Sequence, residues 1–301
     1  MPIWSEMHSY GVFRMICLGD DSETCQYVSL GKFLDRSGQF EHVEVVRCLR
    51  CGHGVSMPPL PDVTFLYQNR ESQDFQPDAK GLSHAIKDIA FRSQARKLLR
   101  QIGGAEGRIL DFGCGSGQFT RVLGEMVSGA SEVVGADMHS EPPAELAERP
   151  YLGPKELSSC KESFDIVIAL HVLEHDDDAD GLLTTISGYA RSRGKVVIEV
   201  PNIDCVWGMA FGKFWDAWYL PYHRHHFTRN SLVRLMQRNG LKIESVHGVT
   251  VPTMGRSFAD IAGGTNNLFW LLLGILAHPV QVLGEVLTGN STAIRVIAVK
   301  E

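Results

Sequence analysis

The 301-residue sequence contains no cluster of lysine and arginine, and its 29 basic residues are outnumbered by 35 acidic ones, giving a net charge of -6. A protein that coats nucleic-acid phosphates draws its affinity from grouped cations, so no nucleic-acid partner is expected. The longest apolar run, Leu268 to Ala277, ends at His278 and Pro279, short of the roughly 20 residues needed to cross a bilayer. It predicts a buried or lid helix and no membrane span. No internal period appears, which sets aside solenoids and propellers. A charged-then-apolar leader is missing and the cysteines number seven, an odd count. Both features predict a reducing, cytoplasmic location without a disulfide scaffold.

What is present is enough apolar material for a large core, with 44% of residues hydrophobic. Residues 1–62 hold four of the seven cysteines and short β-like runs such as Val43 to Val46, and they end in a proline cluster, Pro58, Pro59 and Pro61. They read as a small separate module. Residues 63–105 read as a linker followed by one amphipathic helix, because Leu82, Ile86, Ile89, Ala95, Leu98, Leu99 and Ile102 recur near helical spacing and Gly103-Gly104 stops the pattern. Residues 106–301 form the main domain. There Ile109 to Phe112, Glu132 to Ala136, Phe164 to Leu170 and Lys195 to Val200 alternate with helical segments, and strand-like runs follow at Leu241 to Val249 and Ala293 to Val299. This alternation predicts an α/β fold with a mostly parallel sheet between helical layers.

The most informative segment runs from Arg108 to Thr120. An apolar strand enters Gly113-Cys114-Gly115-Ser116-Gly117, where missing side chains permit tight turning and let a ligand approach backbone amides at the next helix start. Twenty residues after Gly117 the second strand ends at Asp137, the place from which a carboxylate accepts ribose hydroxyl protons. Nicotinamide enzymes use a related loop, with the spelling Gly-x-Gly-x-x-Gly.

Leu110-Asp111-Phe112-Gly113-Cys114-Gly115-Ser116-Gly117 resembles the first motif of the class I S-adenosylmethionine-dependent methyltransferases, and the similarity extends over residues 80–301. The resemblance implies a Rossmann-like fold with a mostly parallel seven-stranded sheet and one antiparallel strand. It implies that Gly113 to Gly117, flanked by Asp111 and Gln118, meet the methionine part of S-adenosylmethionine, that Asp137 holds the ribose, and that Met138 flanks the adenine. Phe164 to His175 looks like the fourth strand and its loop, which puts Leu170, His171 and Val172 beside the cofactor. Glu174 and His175 read equally as loop capping residues. Tyr67 and Arg70 are candidates for the cofactor carboxylate, against the alternative of solvated loop residues.

Methyl transfer from a sulfonium requires alignment and exclusion of water more than strong acid catalysis. A hydroxyl acceptor also needs a base, a role that suits histidine. Candidates are His223 and His226, in Tyr222-His-Arg-His-His-Phe-Thr228 after the fifth strand, and His171. Histidines before a helix are also commonly satisfied by backbone carbonyls, and Thr228 is placed to cap the helix from Arg229. The aromatic stretch 203–222 is expected either to cover an acceptor pocket or to pack in the core. The reading is an O-methyltransferase of a small molecule, with an apolar or sugar part. Methylation at carbon or nitrogen, a nicotinamide oxidoreductase and a non-catalytic cofactor-binding regulator stay open.

Cys48-Leu-Arg-Cys51-Gly52 has the spacing of a metal-gripping knuckle. The other half of the site is irregular: Cys17-Leu-Gly-Asp20, then Cys25. Val45 to Gly52 resembles the zinc-ribbon-like module that precedes some methyltransferases, which implies a structural zinc held by Cys48 and Cys51 with Cys17, and with Asp20 or Cys25 in the fourth position.

Overall fold

The computed structural model describes residues 25–33, 35–60, 62–67, 81–264 and 267–301. The chain begins with strands β1 (Tyr27–Phe33), β2 (Val43–Cys48) and β3 (Gly54–Met57), then helix α1 (Leu82–Gln101). Next come β4 (Arg108–Phe112), α2 (Gln118–Gly124), β5 (Glu132–Ala136), β6 (Tyr151–Leu152), α3 (Pro154–Leu157), β7 (Phe164–Leu170) and α4 (Ala179–Tyr189). After β8 (Ala190–Pro201) follow α5 (Val206–Phe211), β9 (His225–His226), α6 (Arg229–Arg238), β10 (Leu241–Val249), α7 (Met254–Ile261), α8 (Leu268–Thr288) and β11 (Ala293–Lys300).

Two compact units result. One holds the described residues of 62–200 with 236–247 and 295–301; the other holds those before position 61 with 201–235 and 248–294. The first is built on a seven-stranded sheet in the order β10-β11-β8-β7-β4-β5-β6. β4 pairs in parallel with β5 and β7, β5 with β6, and β7 with β8. Lys300 Nζ donates to Ala190 O at the start of β8 (2.8 Å), and Glu301 N donates to Gly240 O just before β10 (3.4 Å). The last strand therefore ends where its two neighbours begin and runs antiparallel to them. This is the mostly parallel, Rossmann-like sheet with one reversed strand that the resemblance implied. The two-residue strand β6 had no counterpart in the sequence reading, because a run that short leaves no alternation to detect.

Ala95 and Leu98 of α1, Ile102 just after it, and Phe119, Val122 and Leu123 of α2 pack with Ile109, Val133, Ile166, Ile168, Val197 and Ile297 of the strands. Each of the larger side chains among them contributes about 1.5–3 kcal/mol when removed from water. The layer is what holds the strand ends in register, and the ligand-binding loops start from those ends.

The second unit carries an antiparallel sheet in the order β1-β2-β3-β9. Its fourth strand comes from far along the sequence, pairing Gly54 with His226 and Val55 with His225. Residues 1–62 were expected to stand as a module of their own, whereas the described part shares both sheet and core with later segments. Phe33, Val43 and Val45 pack against Ile203, Cys205, Trp215, Trp218 and Leu220. Within the aromatic stretch two tryptophans pack in this core: Trp215 is 2% exposed, and Trp218 Nε1 donates to Gly212 O (2.8 Å).

α8 also differs from expectation. It continues through Pro279 to Thr288, and the residues that anchor it are polar. Gln281 Nε2 donates to Val251 O and Thr250 Oγ1 donates to Glu285 Oε2, both at 2.7 Å. Leu276, Val286 and Leu287 face outward instead. By length and composition this is a helix apolar enough to cross a membrane, so the stop assigned to His278-Pro279 is corrected: one proline removes one hydrogen bond, and the flanking turns carry the helix past it.

Truncating Trp215 to alanine empties a site in the core. The expected loss is about 3–5 kcal/mol, read as a lower denaturant midpoint, whereas Met209→Ala on the exposed side of α5 should stay within about 0.5 kcal/mol. Equal midpoints for the two variants would remove Trp215 from the core.

Candidate active site

The C-terminal ends of β4, β5 and β7 lie side by side in one parallel register, with Asp111 opposite Gly135 and Ile168. Ligands of open α/β sheets bind along that edge. Gly113 N and Cys114 N both donate to Ala136 O (2.8 and 3.0 Å), and Gly117 N donates to Cys114 O (2.9 Å), which closes the loop against the tip of β5. Gly113, Gly115 and Gly117 all have positive φ, at 73°, 53° and 75°. Added Cβ atoms would lie 2.5 Å from Val172 Cγ2 at Gly113 and 2.5 Å from Leu146 Cγ at Gly117. Glycine is thus required at both positions by conformation and by space.

Asp137 is half-buried at the end of β5. Its Oδ2 accepts from Gly115 N and its Oδ1 from Met138 N, each at 2.8 Å. Met138 itself is 55% exposed, an apolar surface beside the carboxylate. Asp111 lies beneath the loop, where burial pushes its carboxyl up to about 7, against the hydrogen bond from Thr120 and with the charge of Asp137. Thr120 Oγ1 donates to Asp111 Oδ2 at 2.6 Å, so Asp111 braces the loop from inside. Burial, with the charges of Asp111 and Asp137, pushes the Cys114 thiol far up, and it stays neutral. Gln118 is also occupied, its Nε2 donating to His84 O (3.1 Å) and Asp88 Oδ1 (2.7 Å) of α1.

The third strand end carries a charged group. Beyond Leu170, His171 adopts φ 57°, left-handed and unusual for a residue with a side chain. The interactions that hold it there are strong. Its N–H donates to Glu199 O (2.8 Å), Nδ1 lies 3.2 Å from Glu174 Oε1, and Nε2 lies 3.2 Å from Glu199 Oε1. Burial works against the imidazolium, but the hydrogen bonds and charges of the two carboxylates outweigh it and lift the ring to about 10. Glu199 is completely buried and is met on its other oxygen by Arg295 of β11, Nε at 2.7 Å and Nη2 at 2.6 Å. Burial pushes its carboxyl up, yet His171 and Arg295 bring it below the ordinary value. One third of the His171 side chain, 34%, remains exposed. Tyr67 OH pairs with His175 Nδ1 at 2.7 Å, which places the phenol at the same loop. Arg70 lies outside the described residues.

The remaining histidine candidates belong to the other unit. Ser56 Oγ donates to His223 O (2.7 Å) and lies 3.0 Å from His226 Nε2, so that ring nitrogen carries the hydrogen. Burial, with the charges of His225 and Arg224, drives His226 down to about 3. A ring with so little proton affinity does not serve as a base near neutral pH, and the role expected of His226 is corrected accordingly. His223 is buried with Nδ1 2.9 Å from Ala217 O, the backbone-carbonyl arrangement that was the alternative to base service. Thr228 caps α6 as expected: Ser231 N donates to Thr228 Oγ1 and Thr228 N to Ser231 Oγ, both at 3.0 Å.

The sequence reading missed Glu199 and Arg295. An arginine within Ala293-Ile-Arg-Val-Ile-Ala-Val-Lys300 carried the signal, since a charge in an otherwise apolar strand requires a buried counter-charge.

A family described as a methyltransferase domain matches residues 84–246. Ubiquinone biosynthesis O-methyltransferase of Nitrobacter winogradskyi is 31% identical over 189 residues, 56% of this chain and 70% of that protein. The enzyme of the same name from Aeromonas salmonicida is 27% identical over 169 residues, 50% and 69% respectively. Among solved structures, the 1,6-didemethyltoxoflavin-N1-methyltransferase of Burkholderia thailandensis, with bound S-adenosylhomocysteine, superposes with a TM-score of 0.51 at 16% identity, covering 90% of this chain and 99% of that one. That likeness is one of fold.

The raised value of His171 sets a pH dependence. A group whose value is higher folded than unfolded stabilises fully below the unfolded value, near 6.5, and loses that contribution as pH rises through about 10. Denaturant midpoints of the native protein should therefore exceed those of His171→Gln at about pH 6, with the gap closing by about pH 11. A gap that widens with pH would show that the ring is neutral when folded.

Proposed function

The chain belongs to the methyltransferase-domain family, as a class I S-adenosylmethionine-dependent methyltransferase, and we propose that it methylates an oxygen of a hydroxylated small molecule. The observation that carries the reading is the cradle at the strand ends, where three left-handed glycines and a half-buried Asp137 leave backbone and carboxylate, with no bulky side chain, facing a ligand. Left-handed backbone at all three glycines turns the loop tightly enough for its amides to face a close-lying adenosyl compound. S-adenosylmethionine, when bound, supplies an electrophilic methyl on a sulfonium.

The residues divide the work. Gly113 to Gly117 bind through backbone and exclude water by close approach. A carboxylate has about four lone-pair sites, so Asp137 still has acceptor capacity for ribose hydroxyls beyond its two backbone partners. Met138 offers its exposed side chain to an adenine face. His171 is protonated at neutral pH with its two ring N–H groups on Glu174 and Glu199, so it stands at the strand end as a fixed positive charge. It takes a proton only in the fraction that has lost its own. Relatives named as O-methyltransferases support oxygen as the target, with carbon or nitrogen methylation as the alternative that product analysis distinguishes. The family match sets aside both the nicotinamide oxidoreductase and the non-catalytic regulator.

Calorimetry with S-adenosylhomocysteine should detect binding to the native chain, weakened roughly 10- to 100-fold in Asp137→Ala, the value of a lost charge-assisted hydrogen bond. Binding of NAD instead would overturn the reading. With a hydroxylated acceptor that turns over, kcat/KM should climb with pH toward about 10, and His171→Gln should flatten the profile. A flat native profile would remove His171 as the base.

A further inference from the structure

Two features of the four-stranded unit play no part in methyl transfer. Cys25, Cys48 and Cys51 pack together beside Tyr27, all three buried, while Cys17 and Asp20 lie outside the described residues. The other feature is α8. All ten exposed positions between 268 and 287 hold leucine, isoleucine, valine, phenylalanine or proline. They recur at helical steps, as in Leu268, Leu272, Leu276, Val280, Leu283 and Leu287, and at about 100° per residue they sweep an arc of about 140°. Leu276 is 77% exposed and Leu287 76%. Single apolar residues are ordinary on a protein surface, but an unbroken row of them along a helix marks a binding face.

The helix cannot rotate to hide this row, because its opposite side is already occupied. Glu285 is buried and accepts from Thr250 Oγ1 (2.7 Å), Gln281 Nε2 (2.9 Å) and Thr292 Oγ1 (3.2 Å). Trp207 Nε1 of α5 donates to Gln281 O (3.2 Å). A Cβ added at Gly274 would lie 2.9 Å from Gly255 N of α7, and one at Gly284 would lie 2.6 Å from Trp207 Cζ2, so both neighbours press on the backbone of α8. The ordinary amphipathic arrangement is inverted, with polar and small residues inward and apolar ones outward.

We propose that α8 lies along a lipid bilayer with its outward face sunk among the acyl chains. Charge and shape select this partner. No Asp, Glu, Lys or Arg occurs from 261 to 284, so the ridge offers nothing that the polar rim of a docking protein could complement, whereas hydrocarbon demands no complement. The ridge is also convex across its arc. A second copy would meet it along a line and leave its flanks in water, while acyl chains close around it. At about 30 Å the helix is long enough to cross a bilayer. Crossing would strip Gln281 and Glu285 of their partners inside hydrocarbon, so the helix lies in the plane of the surface. This reading depends on neither the cofactor nor the methyl acceptor.

Flotation of the full chain with phosphatidylcholine vesicles should carry it into the lipid fraction equally at low salt and at about 1 M salt, since no charge pairing is involved. Leu276→Glu combined with Leu283→Glu should lower the bound fraction roughly tenfold or more, whereas Ile89→Glu, at an exposed position of α1, should leave it unchanged. On vesicles, hydrogen exchange of the native protein should fall in residues 268–287 and stay constant in 249–253, a readout that stands even if the double variant fails to fold. Native protein that stays out of the lipid fraction, or binds anionic vesicles alone and is released by salt, would overturn the proposal. So would a dimer in solution that the double substitution dissociates and that ignores vesicles, because a second copy would then cover the face. Faster exchange in 249–253 on vesicles would show α8 leaving its anchors to cross the bilayer and would overturn the in-plane geometry.

Discussion

A carboxylate with no access to water sits near the end of β8, and the seven-stranded sheet is assembled so as to keep it charged. An ion removed from water is tolerated only where counter-charges and hydrogen bonds replace its hydration. Glu199 has both, Arg295 on one oxygen and His171 on the other, with Gln94 Nε2 at 3.3 Å as a further donor. Arg295 reaches it only because β11 returns antiparallel between β8 and β10. The reversed last strand is therefore part of the site, and its guanidinium is steadied in turn by Gln101 of α1 (2.8 Å). On the exposed side the same carboxylate holds His171 in a left-handed conformation that its side chain would otherwise disfavour.

The glycine cradle depends on a different carboxylate in a different way. Asp137 is half-buried and bonded to backbone N–H groups alone, so its geometry is set by main chain that cannot rearrange without breaking the turn. Beneath it Asp111 is bonded to Thr120 and insulated from solvent. The two aspartates of the motif thus have unlike tasks: one braces, the other presents oxygen atoms to a ligand. Preorganisation of this kind lowers the ordering cost of binding.

In the four-stranded unit three histidines are taken up by structure. His53, His225 and His226 lie within a network of Ser56, Ser231 and aromatic rings, Trp218 packing 5.2 Å from His226. Reading Tyr222 to Thr228 as a source of a base followed from residue type and from position after a strand. For His226 burial decided otherwise, because an imidazole withdrawn from water beside His225 and the Arg224 cation loses its affinity for protons. Burial likewise put Trp215 and Trp218 of the stretch before it into core.

The order of strands and helices, the glycine loop, Asp137 and the cap at Thr228 were legible in the letters, since each is local: an alternation of hydrophobic runs, a turn that needs glycine, a hydroxyl preceding a helix. The family resemblance followed from the same short segment. What the letters could not decide was every pairing between distant residues: that β9 would complete a sheet begun by β1, that Arg295 would meet Glu199, that Trp215 would be buried, and that α8 would turn its apolar side outward. Those outcomes depend on which surfaces exclude water from one another, and only the folded chain determines that.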